Sequence, residues 1–259
     1  MTVNTPRSAS RTRPTRRAVI AGAPAALALG GRASAAPRPL KAYFHKGKGA
    51  VSIIGNPEHA AEQAAMTGVF AGGQVTVDTD SGRDQFLQRL MAADFAYLSL
   101  HANERLLVVG NGDRVTAAAL AAARKAAGRG PRLLIVTGCK TTGDKMDADN
   151  VPEALGFTQG TSKQAYIGFH TIVIGISQDR YFRYFLPLWV NPGPGGAYRT
   201  LSEAATEAKA LMQRRYELMQ STSGGTTKAG AALSLSPMDI RATGNADILG
   251  DANLRATDL

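Results

Sequence analysis

The sequence is poor in cysteine: its 259 residues contain one, Cys139. A single cysteine cannot form an internal disulfide, which excludes a disulfide-stabilised fold, and in an oxidising compartment it remains a free thiol. A Gly-x-Ser-x-Gly motif is also absent, so nothing supports a serine hydrolase of that type. Apolar residues make up 44% of the chain, which is ordinary for a globular protein and allows a sizeable core.

Acidic residues are absent from residues 1–35, which carry six arginines. The formal net charge of +10 belongs mostly to this segment, because the rest of the chain has 24 cations (30 − 6) and 20 anions, a difference of +4. That remainder also lacks a dense basic stripe with interleaved aromatic side chains, which a groove for single-stranded nucleic acid requires. We therefore expect no nucleic-acid partner.

Residues 1–35 resemble a twin-arginine export signal. Arg16 and Arg17 precede a mildly apolar, alanine-rich stretch, and residues 33–35 match an A-x-A cleavage site. The apolar stretch of about 12 residues is too short for a membrane span, which needs roughly 20. A disordered, arginine-rich tail is the alternative, since this composition buries too little surface to fold. The order of the elements favours export, with a domain over 36–259 that works in the extracellular, periplasmic or cell-wall space.

Apolar segments alternate with helical patterns along 36–259. Strands are predicted at 50–54, 74–77, 95–100, 133–137 and 166–174, a hairpin at 106–113, and helices at 58–70, 82–92, 117–127, 151–161, 181–190 and 201–220. The alternation predicts an α/β fold in which helices cover both faces of a mainly parallel sheet. A flexible loop is predicted near 221–236.

Two residues with catalytic chemistry follow two of the predicted strands. His101 comes directly after the strand at 95–100, and Cys139 follows the strand at 133–137. Ligands of α/β sheets bind at the carboxyl ends of the strands, so the thiol and the imidazole are expected to meet there as nucleophile and base. The N–H groups of Ala102 and Cys139 could then stabilise an oxyanion. A lone cysteine is more often a buried small hydrophobic residue, but the placement of the pair favours catalysis.

The chain resembles the caspase-like cysteine peptidases, a group that includes gingipains, separases and CHAT domains. The matching features are a strand that ends in His101, a hairpin and helix similar to those of CHAT domains, a strand that ends in small-residue-Cys-x-Thr-x-Gly, and a terminal Ile-Leu-Gly-Asp-Ala-Asn-Leu that resembles the Leu-x-Gly-Asp-Pro-x-Leu of some family members. They occupy residues 98–103, 106–120, 134–143 and 248–254. The chain departs from the family pattern where Ala102 replaces the usual glycine and Ala252 the usual proline.

The resemblance implies a caspase-like three-layer sandwich and cleavage of a peptide or protein substrate through a thioester. Cys139 would attack the carbonyl carbon, and His101 would donate a proton to the leaving amine. No third orienting residue is expected in this group. The family often places a substrate-pocket residue after the first strand, which nominates Asn56 and Glu58. A carboxylate at the start of a helix is an equally good interpretation of Glu58.

Other interpretations stay open at the level of the sequence. A catalytically degenerate CHAT or caspase-like binding module is the main rival, which the loss of the glycine after His101 slightly favours. Another α/β hydrolase or transferase with an inert cysteine is a weaker one.

No cofactor is expected. The acidic cluster Asp144, Asp147 and Asp149 could bind Ca²⁺, but it lacks the glycine and terminal glutamate of an EF-hand loop, so a solvated acidic loop is preferred. The oligomeric state is not predicted.

Overall fold

The computed structural model describes residues 39–142, 149–158, 160–173, 175–222, 235–237, 239 and 246–259. The predicted export signal and most of the predicted loop at 221–236 lie outside these residues. No helix among the described residues is both long and apolar enough to span a membrane.

The strands form two sheets. They are β1 (Lys41–Lys46), β2 (Gln74–Asp78), β3 (Phe95–Ser99), β4 (Ala102–Asn103), β5 (Leu106–Val108), β6 (Arg114–Thr116), β7 (Leu133–Thr137), β8 (Ala165–Phe169) and β9 (Ala246–Gly250). The main sheet has the order β2-β1-β3-β7-β8-β9, and only β9 runs antiparallel to its neighbour. The short strands β4, β5 and β6 form a separate antiparallel sheet.

Helices cover both faces of the main sheet. They are α1 (Ala60–Gly68), α2 (Arg83–Ala92), α3 (Ala117–Ala127), α4 (Val151–Ala154), α5 (Gly175–Val190) and α6 (Leu201–Thr222). Successive strand residues, such as Tyr43 and Phe44, point to opposite faces of the sheet. The Phe44 face packs against α1, α5 and α6, and the Tyr43 face against α2, α3 and α4. The predicted α/β architecture with three layers is therefore confirmed.

The prediction for the first strand is wrong. The first strand is β1, and residues 50–54 form an irregular segment, although Ser52, Ile53 and Ile54 are all buried. Burial of this apolar run suggested a strand, but its N–H groups do not pair with a neighbouring strand. Instead, the Ile53 N–H donates to the Asp179 carboxylate at 2.7 Å.

Three other elements differ in length from their predictions. The helix predicted at 151–161 shortens to α4, because Gly156 turns the chain with a φ of 74°. The strand predicted at 166–174 ends at Phe169. Helix α5 begins at Gly175 instead of residue 181.

Helix α3 is capped at both ends as its sequence predicts. The Thr116 hydroxyl accepts a hydrogen bond from the Ala119 N–H at 3.2 Å, and Gly128 follows the helix with a φ of 65°. We expect Thr116→Ala to lower the free energy of unfolding by about 1 kcal/mol, because the Ala119 N–H in the first turn of the helix loses its acceptor. Urea unfolding measures this. Thr206→Ala, inside α6, is the control, and equal losses in both variants would contradict the capping role.

Candidate active site

A cavity of about 290 Å³ opens at the carboxyl ends of β3 and β7. Ser99 and Thr137, the last residues of these strands, are paired in the sheet. Each strand is followed two residues later by one of the predicted catalytic residues, His101 or Cys139. The cavity is lined by Ala50, Val51, Ser99, Leu100, His101, Thr137, Gly138, Cys139, Val173 and Gly175. The pairing of the two strands therefore brings the thiol and the imidazole into one cavity.

The two side chains differ in exposure. His101 is exposed, whereas Cys139 is partly buried, and its Sγ lies 4.0 Å from the carbonyl oxygen of Val173. The loop after β1 passes close to the imidazole, since a Cβ added at Gly49 would lie 3.6 Å from His101 Nε2. Among the described residues, no carboxylate accepts a hydrogen bond from the His101 ring, and a mechanism without a third orienting residue stays a prediction.

The Ala102 N–H is directed away from the small sheet. Ala102 pairs with Leu107, and the Val108 N–H donates to the His101 carbonyl oxygen at 2.9 Å. In an antiparallel ladder this bond identifies Ala102 and Leu107 as a pair that exchanges no hydrogen bonds, so the Ala102 N–H points away from β5. The Cys139 N–H has no acceptor within the described part of the chain. Cys139 lines the cavity but Ala102 does not, so the use of both N–H groups as an oxyanion hole stays a prediction.

Alanine is accommodated where the family pattern has glycine. The non-glycine residues described with a positive φ are Lys140, at 49°, and Lys163, at 61°. Ala102 is therefore in ordinary extended backbone and its Cβ imposes no strain. Its methyl group lies against Gly138: a Cβ added at Gly138 would be 2.6 Å from Ala102 Cβ.

The turn that carries Cys139 is tightly constrained. Gly138 precedes the cysteine, and Lys140 follows it in the left-handed conformation, which costs a non-glycine residue roughly 1–2 kcal/mol. The Lys140 N–H donates to the Thr171 carbonyl oxygen at 3.0 Å and holds the turn against the chain after β8. Strained backbone at a reactive side chain is common in functional sites.

Gly138→Ala is expected to displace this turn. The added methyl group would also meet the Leu100 carbonyl oxygen at 2.9 Å, so Cys139 has to move. We expect the rate of Cys139 alkylation by iodoacetamide to change by about tenfold or more, since small displacements at reactive sites have large effects. Gly72→Ala is the control, because open space surrounds that position. Adding Ala102→Gly to the variant removes the closest contact and should restore part of the wild-type rate. An unchanged rate in Gly138→Ala would contradict this account of the turn.

The two residues nominated for a substrate pocket lie outside the lining of this cavity. The Asn56 side chain accepts a hydrogen bond from the Glu58 N–H at 3.1 Å and caps the 3-10 turn Pro57–His59. The Glu58 side chain is exposed. Contact of either residue with a substrate stays a prediction. Asp144 and Asp147 lie outside the described residues, so calcium binding by the acidic cluster also stays a prediction.

Sequence reasoning did not single out three polar groups near the site. Ser99 Oγ is buried in the cavity wall. Behind it lies Asp179, a fully buried carboxylate. Further along the edge of the sheet, His170 Nδ1 lies 2.8 Å from Asp247, which also accepts from the Thr142 hydroxyl. Of these groups, only Ser99 could have been placed near the site from the sequence, because it ends the strand that precedes His101.

Comparisons with known proteins give a structural likeness. No protein-family model and no curated protein matches the sequence at a significant level. The structure is similar to the arginine-specific cysteine proteinase gingipain R, with a TM-score of 0.57 and 10% identity over 84% of this chain and 47% of that one. It is also similar to the complex of the RgpB pro- and mature domains from Porphyromonas gingivalis, with a TM-score of 0.56 and 11% identity over 84% and 48%.

The chain therefore spans about half the length of these solved structures. Identities this low establish the fold alone, so membership of the CHAT branch stays a prediction. The six-stranded, mostly parallel sheet and its covering helices have the caspase-like fold of the gingipain cysteine proteinases.

Proposed function

We propose that the chain is a cysteine endopeptidase that uses Cys139 as nucleophile and His101 as acid and base. The observation that supports this most is their position: both side chains line one cavity at the carboxyl edge of the sheet. The likeness to gingipain R supports the same class of chemistry on the same fold. The substrate is a peptide or protein segment, because a thioester mechanism needs an acyl group that a thiol can attack.

The chemistry proceeds through two acyl transfers. The Cys139 thiolate attacks the carbonyl carbon of the substrate, an S–C bond forms, and the carbonyl π electrons move to oxygen. The N–H groups of Ala102 and Cys139 donate to that oxyanion. The His101 imidazolium donates its proton to the amine nitrogen as the C–N bond breaks, which leaves a thioester. Water then attacks the thioester while neutral His101 accepts its proton, and the acid product leaves as the Cys139 thiolate is restored.

The proposed site of action lies outside the cytoplasm, after export of the chain through its twin-arginine signal. The paired arginines, apolar stretch and A-x-A site support action outside the cytoplasm, where Cys139 has no cysteine partner in its own chain. Cell fractionation of a bacterial host would test this, with Arg16→Lys/Arg17→Lys as the variant. Retention of the variant and export of the wild type are expected, and export of both would contradict the assignment.

Cleavage of a mixed peptide library tests the enzymatic proposal. We expect wild-type protein to cut peptide bonds and Cys139→Ala to cut none, with the new termini found by mass spectrometry. Cleavage that persists in Cys139→Ala, or no cleavage by folded wild type, would contradict a cysteine endopeptidase. The second outcome would favour the binding module. The ordinary strand backbone at Ala102 supports the peptidase over that alternative.

A further inference from the structure

A carboxylate is buried beside the candidate active site without a counter-ion. Asp179 lies on α5 and its exposure is 0%. Over the described parts of the chain, it forms no ion pair with an arginine, lysine or histidine. Burial raises the pKa of Asp179, while hydrogen bonding acts in the opposite direction, from Tyr97, Ser52, Ile53 and Ser99. An apolar residue of similar size would avoid the cost of burying this group, so the carboxylate needs a reason.

The donors to Asp179 come from two separate parts of the chain. One carboxylate oxygen accepts from the Ser52 hydroxyl and the Ile53 N–H, both at 2.7 Å. The other accepts from the Tyr97 hydroxyl on β3. Ser52 Oγ also accepts from the Ile54 N–H at 3.0 Å and so extends the connection by one residue. One side chain on α5 therefore holds the irregular segment 50–54 and strand β3 together.

Each of these three elements forms a wall of the cavity. Ala50 and Val51, which directly precede Ser52, line it, and so do the end of β3 and the first residue of α5, Gly175. The segment also approaches α5 closely, since a Cβ added at Gly175 would lie 2.1 Å from the Val51 carbonyl oxygen. Asp179 itself is not part of the cavity lining and does not hydrogen-bond to Cys139 or His101.

We propose that Asp179 is a positioning residue that fixes segment 50–54 as a wall against which the substrate side chain binds. This inference rests on the proposed peptidase function. The segment has no strand neighbour among the described residues, so the Ile53 N–H and the Ser52 hydroxyl depend on the carboxylate for a buried acceptor. Without that acceptor, the wall loosens and a substrate binds less well. Strand β3 is also held by its pairing with β1 and β7, and Cys139 follows β7, so we expect the chemistry of the thiol and the imidazole to be unaffected.

The test uses Asp179→Asn, which keeps the shape but replaces the carboxylate with a neutral amide that has one acceptor oxygen instead of two, so the bonds from Ile53, Ser52 and Tyr97 cannot all be kept at full strength. We expect the Ile53 amide to exchange with solvent about tenfold faster or more. Peptide cleavage should show KM raised about tenfold with kcat changed less than about twofold. Iodoacetamide should alkylate Cys139 at the wild-type rate.

Two further variants keep the test decisive. Ser52→Ala removes one donor without changing a buried charge and should act in the same direction, which covers the case that Asp179→Asn does not fold. Asp239→Asn is the matched control: Asp239 is 1% exposed and also accepts from a serine hydroxyl and a backbone N–H, those of Ser236. This control should leave KM unchanged.

The outcomes separate this inference from the proposed function. Unchanged Ile53 exchange and unchanged KM in folded Asp179→Asn and Ser52→Ala would overturn the positioning role. A fall in kcat and in the alkylation rate with constant KM would also overturn it, because Asp179 would then act on the nucleophile. If wild-type protein cuts no peptide, the peptidase proposal fails, and Ile53 exchange alone decides whether Asp179 fixes the segment.

Discussion

His101→Ala is expected to lower kcat/KM for peptide cleavage by about 10²–10⁴-fold, the usual contribution of a general acid–base group. The imidazole lines the cavity with Cys139, and no other histidine is among the residues that the structure places in that lining. Because the His101 side chain is exposed, its removal leaves the core intact. Steady-state cleavage of a peptide identified from the library measures the effect, and thermal unfolding confirms that the variant is folded.

His170→Ala is the matched control for this prediction. His170 is also exposed and follows the neighbouring strand β8, but it pairs with Asp247 and does not line the cavity. We expect its kcat/KM to stay within about twofold of the wild-type value. Equal losses in the two variants, or full activity in His101→Ala, would remove His101 from the mechanism.

Asp78→Ala is expected to lower the free energy of unfolding by about 3–5 kcal/mol, because each buried donor left without an acceptor costs about 1–3 kcal/mol. Asp78 is 3% exposed at the end of β2 and accepts from Tyr43 Oη at 2.7 Å and Arg89 Nη1 at 2.8 Å. It also accepts from the Ser81 hydroxyl and lies 3.2 Å from His45 Nδ1. Its removal leaves several buried donors without an acceptor.

Urea unfolding measures the loss, and Asp80→Ala is the control. Asp80 is an exposed acid two residues away, so its replacement should change the free energy of unfolding by less than about 0.5 kcal/mol. A loss of under about 1 kcal/mol in Asp78→Ala would contradict the importance of this buried network.

The same network predicts how stability depends on pH. Burial opposes ionisation of Asp78, but hydrogen bonds from Ser81, Tyr43 and Arg89 outweigh it and hold the pKa of Asp78 well below its ordinary value. Its contribution is therefore complete above the unfolded pKa near 3.9 and is lost as the pH falls below it. Burial lowers the pKa of His45, so the folded protein resists protonation there, and stability also falls as the pH drops below about 6.5. In Asp78→Ala, the fall in the free energy of unfolding below a pH of about 3.9 should therefore be absent.

Elements that depend on local pattern were predictable from the sequence. Strands β3 and β7 are continuous apolar runs, as buried parallel strands require, and α3 has a threonine cap and a glycine after its end. Adjacent placement of these two strands brought His101 and Cys139 together, so the candidate pair followed from chain order and the geometry of parallel sheets.

Features that depend on tertiary partners were not predictable. Strand β1 contains Lys41 and His45 and does not read as a buried strand, yet His45 is fully buried beside Asp78, which is distant in sequence. Segment 50–54 has the apolar pattern of a strand, and no local feature shows that its Ser52 hydroxyl and Ile53 N–H donate to Asp179. Asp179 lies before the helix predicted at 181–190, and no local pattern indicates its role, because its donors Ser52, Ile53 and Tyr97 are at least 82 residues away.

The most direct test of the account is the rate at which iodoacetamide alkylates Cys139 near neutral pH, because it needs no knowledge of the substrate. A thiolate paired with an imidazole reacts at a pH well below the ~8.5 at which a free cysteine ionises. We expect fast labelling in the wild type and in His170→Ala, and at least about tenfold slower labelling in folded His101→Ala. Labelling of wild-type Cys139 that is slower than that of free cysteine, and unchanged in His101→Ala, would contradict a nucleophile activated by His101.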